Sequence, residues 1–215
     1  MPEHARNEAP RPPLTERRKA DTRREITKEA VRLFVRRGAE NVSAEEIARA
    51  AGVSTRTFWR YFATKEQAVA PLLATALDQT LAHFRDRPAT EPLLEALGRA
   101  SVHNSTTWPG TSAMLTLVRQ AKDNAELRSV WLQVHHGVER RLAEAIAERR
   151  GEAPEDLRGR LHAGMAVLAL RTAVEEYAWQ DEKGSRRGAE VLDQALAIVA
   201  EGFGAGTGTS GNSAP

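Results

Sequence analysis

Residues 43–62 read SAEEIARAAGVSTRTFWRYF and decide the fold of this chain. Ser43 and Glu46 form a capping box, which predicts a helix that begins directly after Ser43. Gly52 ends this helix, because glycine tolerates the backbone reversal, and Ser54 is placed to cap a second short helix. Two short helices joined by such a turn predict a helix-turn-helix.

Helices are also predicted on both sides of this motif. The first runs from about Ala20 to Arg37 and ends at Gly38, where glycine can take the left-handed conformation. Thr64 to Gln67 form another capping box, which opens a fourth helix that reaches about Arg85. Pro71 lies inside this fourth helix and should bend it, because its ring removes one amide hydrogen bond.

The rest of the chain is predicted to be helical as well. Apolar residues recur at intervals of three and four, and β-branched alternation is nowhere sustained, so the predicted fold class is all-α. Breaks at proline, glycine and Asp-Asn sites place further helices at about 90–103, 110–122, 124–149, 154–181 and 185–202. The proline-rich residues 1–17 should form a disordered basic arm, and the glycine-rich residues 203–215 a flexible tail.

Composition narrows the class of protein. The 215 residues include no cysteine, which excludes disulfides, thiolate metal sites and cysteine nucleophiles. No apolar run is long enough to predict a signal peptide or a membrane span. Residues 1–65 carry 15 Lys and Arg against 9 Asp and Glu, whereas residues 66–215 carry 16 against 20. This asymmetry suits a protein whose N-terminal part meets a polyanion, although a solvated charged surface explains it equally well.

The second helix of the motif carries residue types that suit contact with nucleic acid. Hydroxyls, guanidiniums and aromatic rings crowd residues 55–61, and such groups bind phosphates and base edges. Thr55 and Arg56 should face base edges, since a guanidinium can bind guanine through two donors. A solvated polar surface is the alternative for both. Phe58 and Phe62 should instead be core residues.

From Arg24 to Glu66 the sequence resembles the DNA-binding domain of the TetR family of bacterial transcriptional regulators. It departs from the family at Trp59, where tyrosine is usual, and at Arg60, where the family more often has a polar residue or histidine. The shared positions are Ala30, Leu33, Phe34, Gly38, Ser43, Ile47, Ala48, Ala51, Gly52, Val53, Ser54, Thr57, Phe58, Tyr61, Phe62, Lys65 and Glu66.

This resemblance implies roles for individual residues. Four of them, namely Thr57, Trp59, Tyr61 and Lys65, match positions that contact the DNA backbone in the family. An indole can donate one hydrogen bond to a phosphate but cannot accept one, so Trp59 keeps part of the tyrosine's chemistry. The complete predicted DNA-binding set is Ser43, Thr55, Arg56, Thr57, Trp59, Arg60, Tyr61 and Lys65.

The resemblance also implies the organisation of the whole chain. Residues 18–64 would form a three-helix DNA-binding domain, and residues 65–202 a helical ligand-binding and dimerisation domain. In such proteins the last two helices pair with those of a second subunit, and the variable helices enclose a small-molecule pocket. Ordinary core packing is the alternative for each candidate lining residue. The candidates are Phe84, His103, Trp108, Met114, Leu117, Val118, Trp131, His135, Met165 and Trp179.

We therefore expect a cytoplasmic homodimeric repressor that binds palindromic operators in double-stranded DNA and is released by a small apolar ligand. The residues that come nearest to a metal site are His135, His136 and Glu139. Adjacent histidines on a helix point in different directions, so only His135 and Glu139 share a helix face, and no metal is expected. No cofactor is expected either. The chain has no phosphate-binding glycine loop, nucleophile elbow or HExxH motif, so an enzyme is not expected. Two alternatives are a helical protein that coats DNA without sequence preference and an enzyme on a helical scaffold.

Overall fold

The computed structural model describes residues 13–151, 156–180 and 187–201. These residues contain no strand, which confirms the all-α prediction, and no helix among them is long and apolar enough to cross a membrane. The later helices lie within four residues of their predicted bounds. The helices are α1 (Leu14–Arg37), α2 (Ala44–Ala50), α3 (Thr55–Tyr61), α4 (Ala70–Arg85), α5 (Leu93–Thr107), α6 (Thr111–Gln120), α7 (Ala125–Arg150), α8 (Leu157–Trp179) and α9 (Gly188–Glu201).

The helix-turn-helix forms where its capping signals predict it. Ser43 Oγ accepts from the Glu46 amide at 3.2 Å, and the Ser43 amide donates to Glu46 Oε2 at 2.8 Å. Gly52 has a φ of +68° between the two helices, a conformation that favours glycine. Ser54 Oγ accepts from the Thr57 amide and so caps α3. Local sequence signals therefore determine both ends of the turn.

α1 begins earlier than the sequence pattern predicts. Residues 14–17, predicted as part of a disordered arm, are helical. The side chains of Glu16 and Lys19 pair at 2.8 Å, one turn apart, and such pairs stabilise the exposed first turns of this helix. Residues 1–12 of the predicted arm and the predicted tail, residues 203–215, lie outside the described residues.

Pro71 lies in the first turn of α4 and not inside the helix, so the prediction of an interior proline that bends it is wrong. A 3-10 turn over Glu66–Val69 precedes the helix, and α4 begins one residue before Pro71. The first amides of a helix have no intrahelical acceptor, so a proline there removes no hydrogen bond. The predicted capping box also differs: Thr64 Oγ1 accepts from the Gln67 amide, but Gln67 Oε1 accepts from the Ala63 amide.

Within the described ranges, buried apolar side chains form two clusters. The first contains Phe34, Ile47 and Phe58 from the N-terminal helices and continues into Leu117 of α6 and Trp131 of α7. The second lies among α4, α5, α7, α8 and α9. The core beneath the helix-turn-helix therefore extends into helices far along the chain, which joins the motif firmly to α6 and α7.

Candidate nucleic-acid interface and internal cavity

α3 is anchored by one aromatic side chain and presents a polar face outward. Phe58 is fully buried, and its ring meets the Trp59 ring edge-on at 5.0 Å between centroids. Arg56, Trp59 and Arg60 are exposed, and their i, i+3, i+4 spacing places them on one side of the helix. Two guanidiniums and an indole on one face can bind base edges, phosphates and sugar rings.

The other predicted contacts from α3 are less exposed. Thr55, Thr57 and Tyr61 are partly buried. The Thr57 hydroxyl lies 2.9 Å from Ser54 Oγ, so it is shared with the helix cap. The Arg60 guanidinium lies 5.4 Å from the centroid of the Tyr61 ring, a cation–π contact. These contacts hold the flanks of α3 in place around the exposed Arg56 and Trp59.

Ser43 and Lys65 have structural partners inside the motif. Ser43 is exposed, but its hydroxyl and its amide both serve the capping box of α2. Lys65 Nζ donates to the Ala39 carbonyl at 2.6 Å and to the Val42 carbonyl at 2.8 Å. Lys65 Nζ also lies 3.7 Å from Oε1 of the buried Glu66, which is an ion pair but too long for a hydrogen bond. An ammonium group has three protons, so the third can still reach a phosphate. The phosphate contact of Lys65 stays a prediction, and its bonds to the loop before α2 are a structural role that the sequence did not indicate.

A cavity of about 310 Å³ lies among α5, α6, α8 and α9. An open groove of about 830 Å³ between α5 and α9 adjoins it and shares Val102, Thr106 and Ala189 with it. A concave site of this size suits a small organic molecule. The polar lining of the cavity includes Ser101, Ser105, Thr106 and Thr111, and the apolar lining includes Met114, Leu115, Val174 and Leu192.

Two family models match the chain. Residues 26–70 match the model described as bacterial regulatory proteins of the TetR family. Residues 89–204, more than half of the chain, match the model of the MftR C-terminal domain. This chain belongs to the TetR family. Membership confirms the resemblance drawn from the helix-turn-helix, and both halves of the TetR-family fold are present.

Named relatives and solved structures agree with TetR-family membership. The transcriptional regulator TcmR of Streptomyces glaucescens is 34% identical over 160 residues, which cover 69% of this chain and 70% of TcmR. A Mycobacterium tuberculosis protein named as the mycofactocin biosynthesis transcriptional regulator MftR is 27% identical over 188 residues, covering 87% of this chain and 93% of MftR. Thermus thermophilus FadR, a TetR-family repressor in complex with lauroyl-CoA, shares the fold with a TM-score of 0.57 and 24% identity, covering 84% of this chain and 94% of FadR. The chain is accordingly a TetR-family transcriptional regulator.

The cavity of this TetR-family regulator contains few of the residues predicted for it. Met114 lines the cavity, His103 lines the adjoining groove, and Phe84 borders a smaller cleft near Arg149. Most of the other candidates are core residues, because large apolar side chains that face inward pack against one another and fill the space between the helices. Their contact with a ligand stays a prediction. The candidates that line none of these three sites are Trp108, Leu117, Val118, Trp131, His135, Met165 and Trp179.

Gln120, which the sequence pattern did not single out, links α6 to the N-terminal helices. Its Nε2 donates to the Phe34 carbonyl at 2.8 Å, and its Oε1 accepts from the Ala39 amide at 2.9 Å. These partners lie on either side of Gly38, whose φ of +82° ends α1. No local signal could have identified Gln120, because its partners are 86 and 81 residues away in the sequence.

A buried polar network joins α7 to α8. Trp131 Nε1 and Arg171 Nη1 each donate to Glu175 Oε1 at 2.8 Å. One turn after Trp131, His135 Nδ1 donates to the Trp131 carbonyl at 2.9 Å. Burial lowers the pKa of His135 to about 4, so its ring is neutral at physiological pH. This histidine is a satisfied core residue.

The pair of His135 and Glu139, which the sequence places on one helix face, is not formed. Glu139 Oε2 instead lies 3.2 Å from Nδ1 of the exposed His136. Within the described ranges, no group of three or more His, Cys, Asp or Glu side chains could hold a metal ion.

Proposed function

We propose that this TetR-family regulator is a homodimeric repressor that binds a palindromic operator and releases it when a small apolar ligand binds. The exposed face formed by Arg56, Trp59 and Arg60 carries the proposal. In a helix-turn-helix, the first residues of the second helix reach base edges in the major groove. We expect Arg56 to reach the bases, while Trp59 can stack on a sugar or donate its indole N–H to a phosphate.

An exposed apolar row on α8 supports the dimer. Leu157, Leu161 and Leu168 are 66%, 56% and 52% exposed, and the half-buried Met165 continues the row. Ile198 on α9 is 61% exposed. Water disfavours such a surface, and the same surface on a second copy would bury it. Twofold pairing sets two α3 helices about one turn of DNA apart, roughly 34 Å, which suits a palindrome.

The position of α6 supports control by a ligand. Met114 lines the cavity near the start of α6, and Gln120 at its end holds the turn that follows α1. A ligand that shifts α6 therefore displaces Ala39, whose carbonyl is bound by Lys65 next to α3. The ligand changes operator affinity only if it binds the two arrangements with different affinities. We expect α6, rather than a bend at Pro71, to transmit the change.

Gln120→Ala should separate ligand binding from operator release. The substitution leaves the cavity wall unchanged but removes two hydrogen bonds between α6 and the N-terminal helices, so the ligand-induced fall in operator affinity should shrink by about tenfold. Operator titrations with and without a ligand found by thermal-shift screening measure this. Gln133→Ala is the control, because Gln133 bonds only weakly within its own helix, to Ser129 at 3.5 Å. An undiminished ligand response in Gln120→Ala would contradict the route through α6.

Arg56→Ala should relax base preference at one position of each half-site. An operator selected from random duplexes should bind wild-type protein at least ~10³-fold more tightly than a scrambled duplex. Loss of the Arg56 contact should cost about 1–3 kcal/mol of discrimination at its base pair. Arg140→Ala is the control, because Arg140 is an exposed arginine of α7, outside the helix-turn-helix. Equal wild-type affinity for operator and scrambled duplex would instead indicate a protein that coats DNA without sequence preference.

A further inference from the structure

We propose that the cavity among α5, α6, α8 and α9 selects an uncharged ligand that donates hydrogen bonds, such as a phenol or a hydroxylated ring system. This inference rests on the proposed function, because it assigns a chemical class to the ligand that releases the operator. It follows from two properties of the cavity wall and one of the adjoining groove.

The cavity wall carries no ionisable carboxylate, ammonium or guanidinium among the described residues. Its lining consists of hydroxyl, aliphatic and thioether side chains with a single tyrosine, Tyr177. An ionised ligand would lose part of its hydration here without gaining an opposite charge on the described wall, which is unfavourable. The apolar surface of Met114, Val174 and Leu192 favours a ligand with a hydrophobic ring or chain.

Three of the five hydroxyls on the described wall, those of Ser105, Thr106 and Thr111, already donate their protons to the protein. Ser105 Oγ donates to the Val102 carbonyl at 2.8 Å, and Thr106 Oγ1 donates to the His103 carbonyl at 2.9 Å. Thr111 Oγ1 donates to the Trp108 carbonyl, also at 2.9 Å. A hydroxyl has one proton and two lone pairs, so these groups offer acceptors to a ligand. A ligand that donates a hydrogen bond therefore satisfies these three groups, whereas one that only accepts can bond to Ser101 or Tyr177 but leaves the three acceptors without a partner.

The adjoining groove does not change this preference. Its two arginines are already paired: Arg87 Nη2 donates to Glu91 Oε1 at 2.8 Å, and Arg99 pairs with Glu91 at 3.1 Å and with Glu95. Asp193 adds a further carboxylate to the groove wall. A polyanionic group such as the coenzyme A of lauroyl-CoA would have to displace these pairs. The charge pattern thus favours a neutral ligand over an acyl-CoA thioester.

Three bicyclic probes of similar size test the proposal with the full-length protein. They are 2-naphthol, which donates a hydrogen bond, 2-methoxynaphthalene, which only accepts, and 2-naphthoate, which is charged. Calorimetric titration should show 2-naphthol binding about tenfold more tightly than its methyl ether, the upper end of one net hydrogen bond, and more tightly still than the naphthoate. Equal or tighter binding of the ether or the naphthoate, or no binding of any probe, would overturn the proposal.

Substitutions in the wall locate the binding and separate the two proposals. The combined change Ser105→Ala, Thr106→Val and Thr111→Val should bring the naphthol-to-ether affinity ratio close to one. Thr107→Val and Thr116→Val are matched controls, because these hydroxyls also donate to backbone carbonyls of their own helices but do not line the cavity, and they should keep the ratio. A ratio that survives the triple change would overturn the assignment to this cavity. Selective naphthol binding that leaves operator affinity unchanged would count against ligand-controlled repression, not against the chemistry of the cavity.

Discussion

Leu168→Arg should turn the regulator into a monomer and weaken operator binding by about a hundredfold or more. Leu168 lies in the exposed apolar row of α8 and is 52% exposed in the single chain. Across a twofold interface each arginine would meet an apolar surface and its own symmetry mate, so two charges would be buried without partners. A monomer engages one half-site at a time and loses the gain from simultaneous binding. Sedimentation velocity measures the first effect, and operator titration the second.

Leu132→Arg is the matched control for this substitution. Leu132 is a 40% exposed leucine on α7, outside the row formed by α8 and α9. The monomer of either variant keeps its arginine in water, so both should fold like the parent. A dimer that persists in Leu168→Arg, or that is lost equally in Leu132→Arg, would contradict the proposed interface.

Lys65→Met should destabilise the helix-turn-helix as well as weaken DNA binding. The substitution keeps the aliphatic stem but leaves the carbonyls of Ala39 and Val42, two residues that are each 2% exposed, without the ammonium donor. It also removes the positive charge that pairs with the buried Glu66 carboxylate at 3.7 Å. Each hydrogen bond from a charged donor contributes about 2 kcal/mol, so the loss of two should lower the free energy of unfolding by at least that amount and the Tm by at least about 5 °C. Thermal unfolding followed by circular dichroism measures the loss.

The salt dependence of DNA binding separates the two roles of Lys65. If the third proton of Lys65 reaches a phosphate, the plot of log K for DNA binding against log salt concentration should be less steep in Lys65→Met, with a slope smaller by about 1. Lys28→Met is the control, because Lys28 is an exposed lysine that pairs with Glu25 at 3.1 Å, one turn before it. Its Tm should stay close to that of the parent. An unchanged Tm in Lys65→Met would contradict the structural role.

Most of the helix-turn-helix could be predicted because its signals are local. The capping box of Ser43 and Glu46, the turn at Gly52 and the cap at Ser54 each act within four residues. Pro71 shows the limit of such reasoning. The same proline bends a helix when it lies in the interior and is neutral in the first turn, and the 3-10 turn before α4 decides which case applies.

The sequence by itself determined the all-α fold, the limits of α3 and the exposed chemistry of Arg56 and Trp59, because helix periodicity, caps and one face of one helix depend on neighbouring residues. Only the tertiary structure decided the cavity wall and the partners of Gln120 and Lys65. A cavity is the space that packed helices fail to fill, so it depends on several distant elements together. Hydrogen bonds across 23 to 86 residues likewise leave no periodic trace in the chain, because only folding brings their partners together.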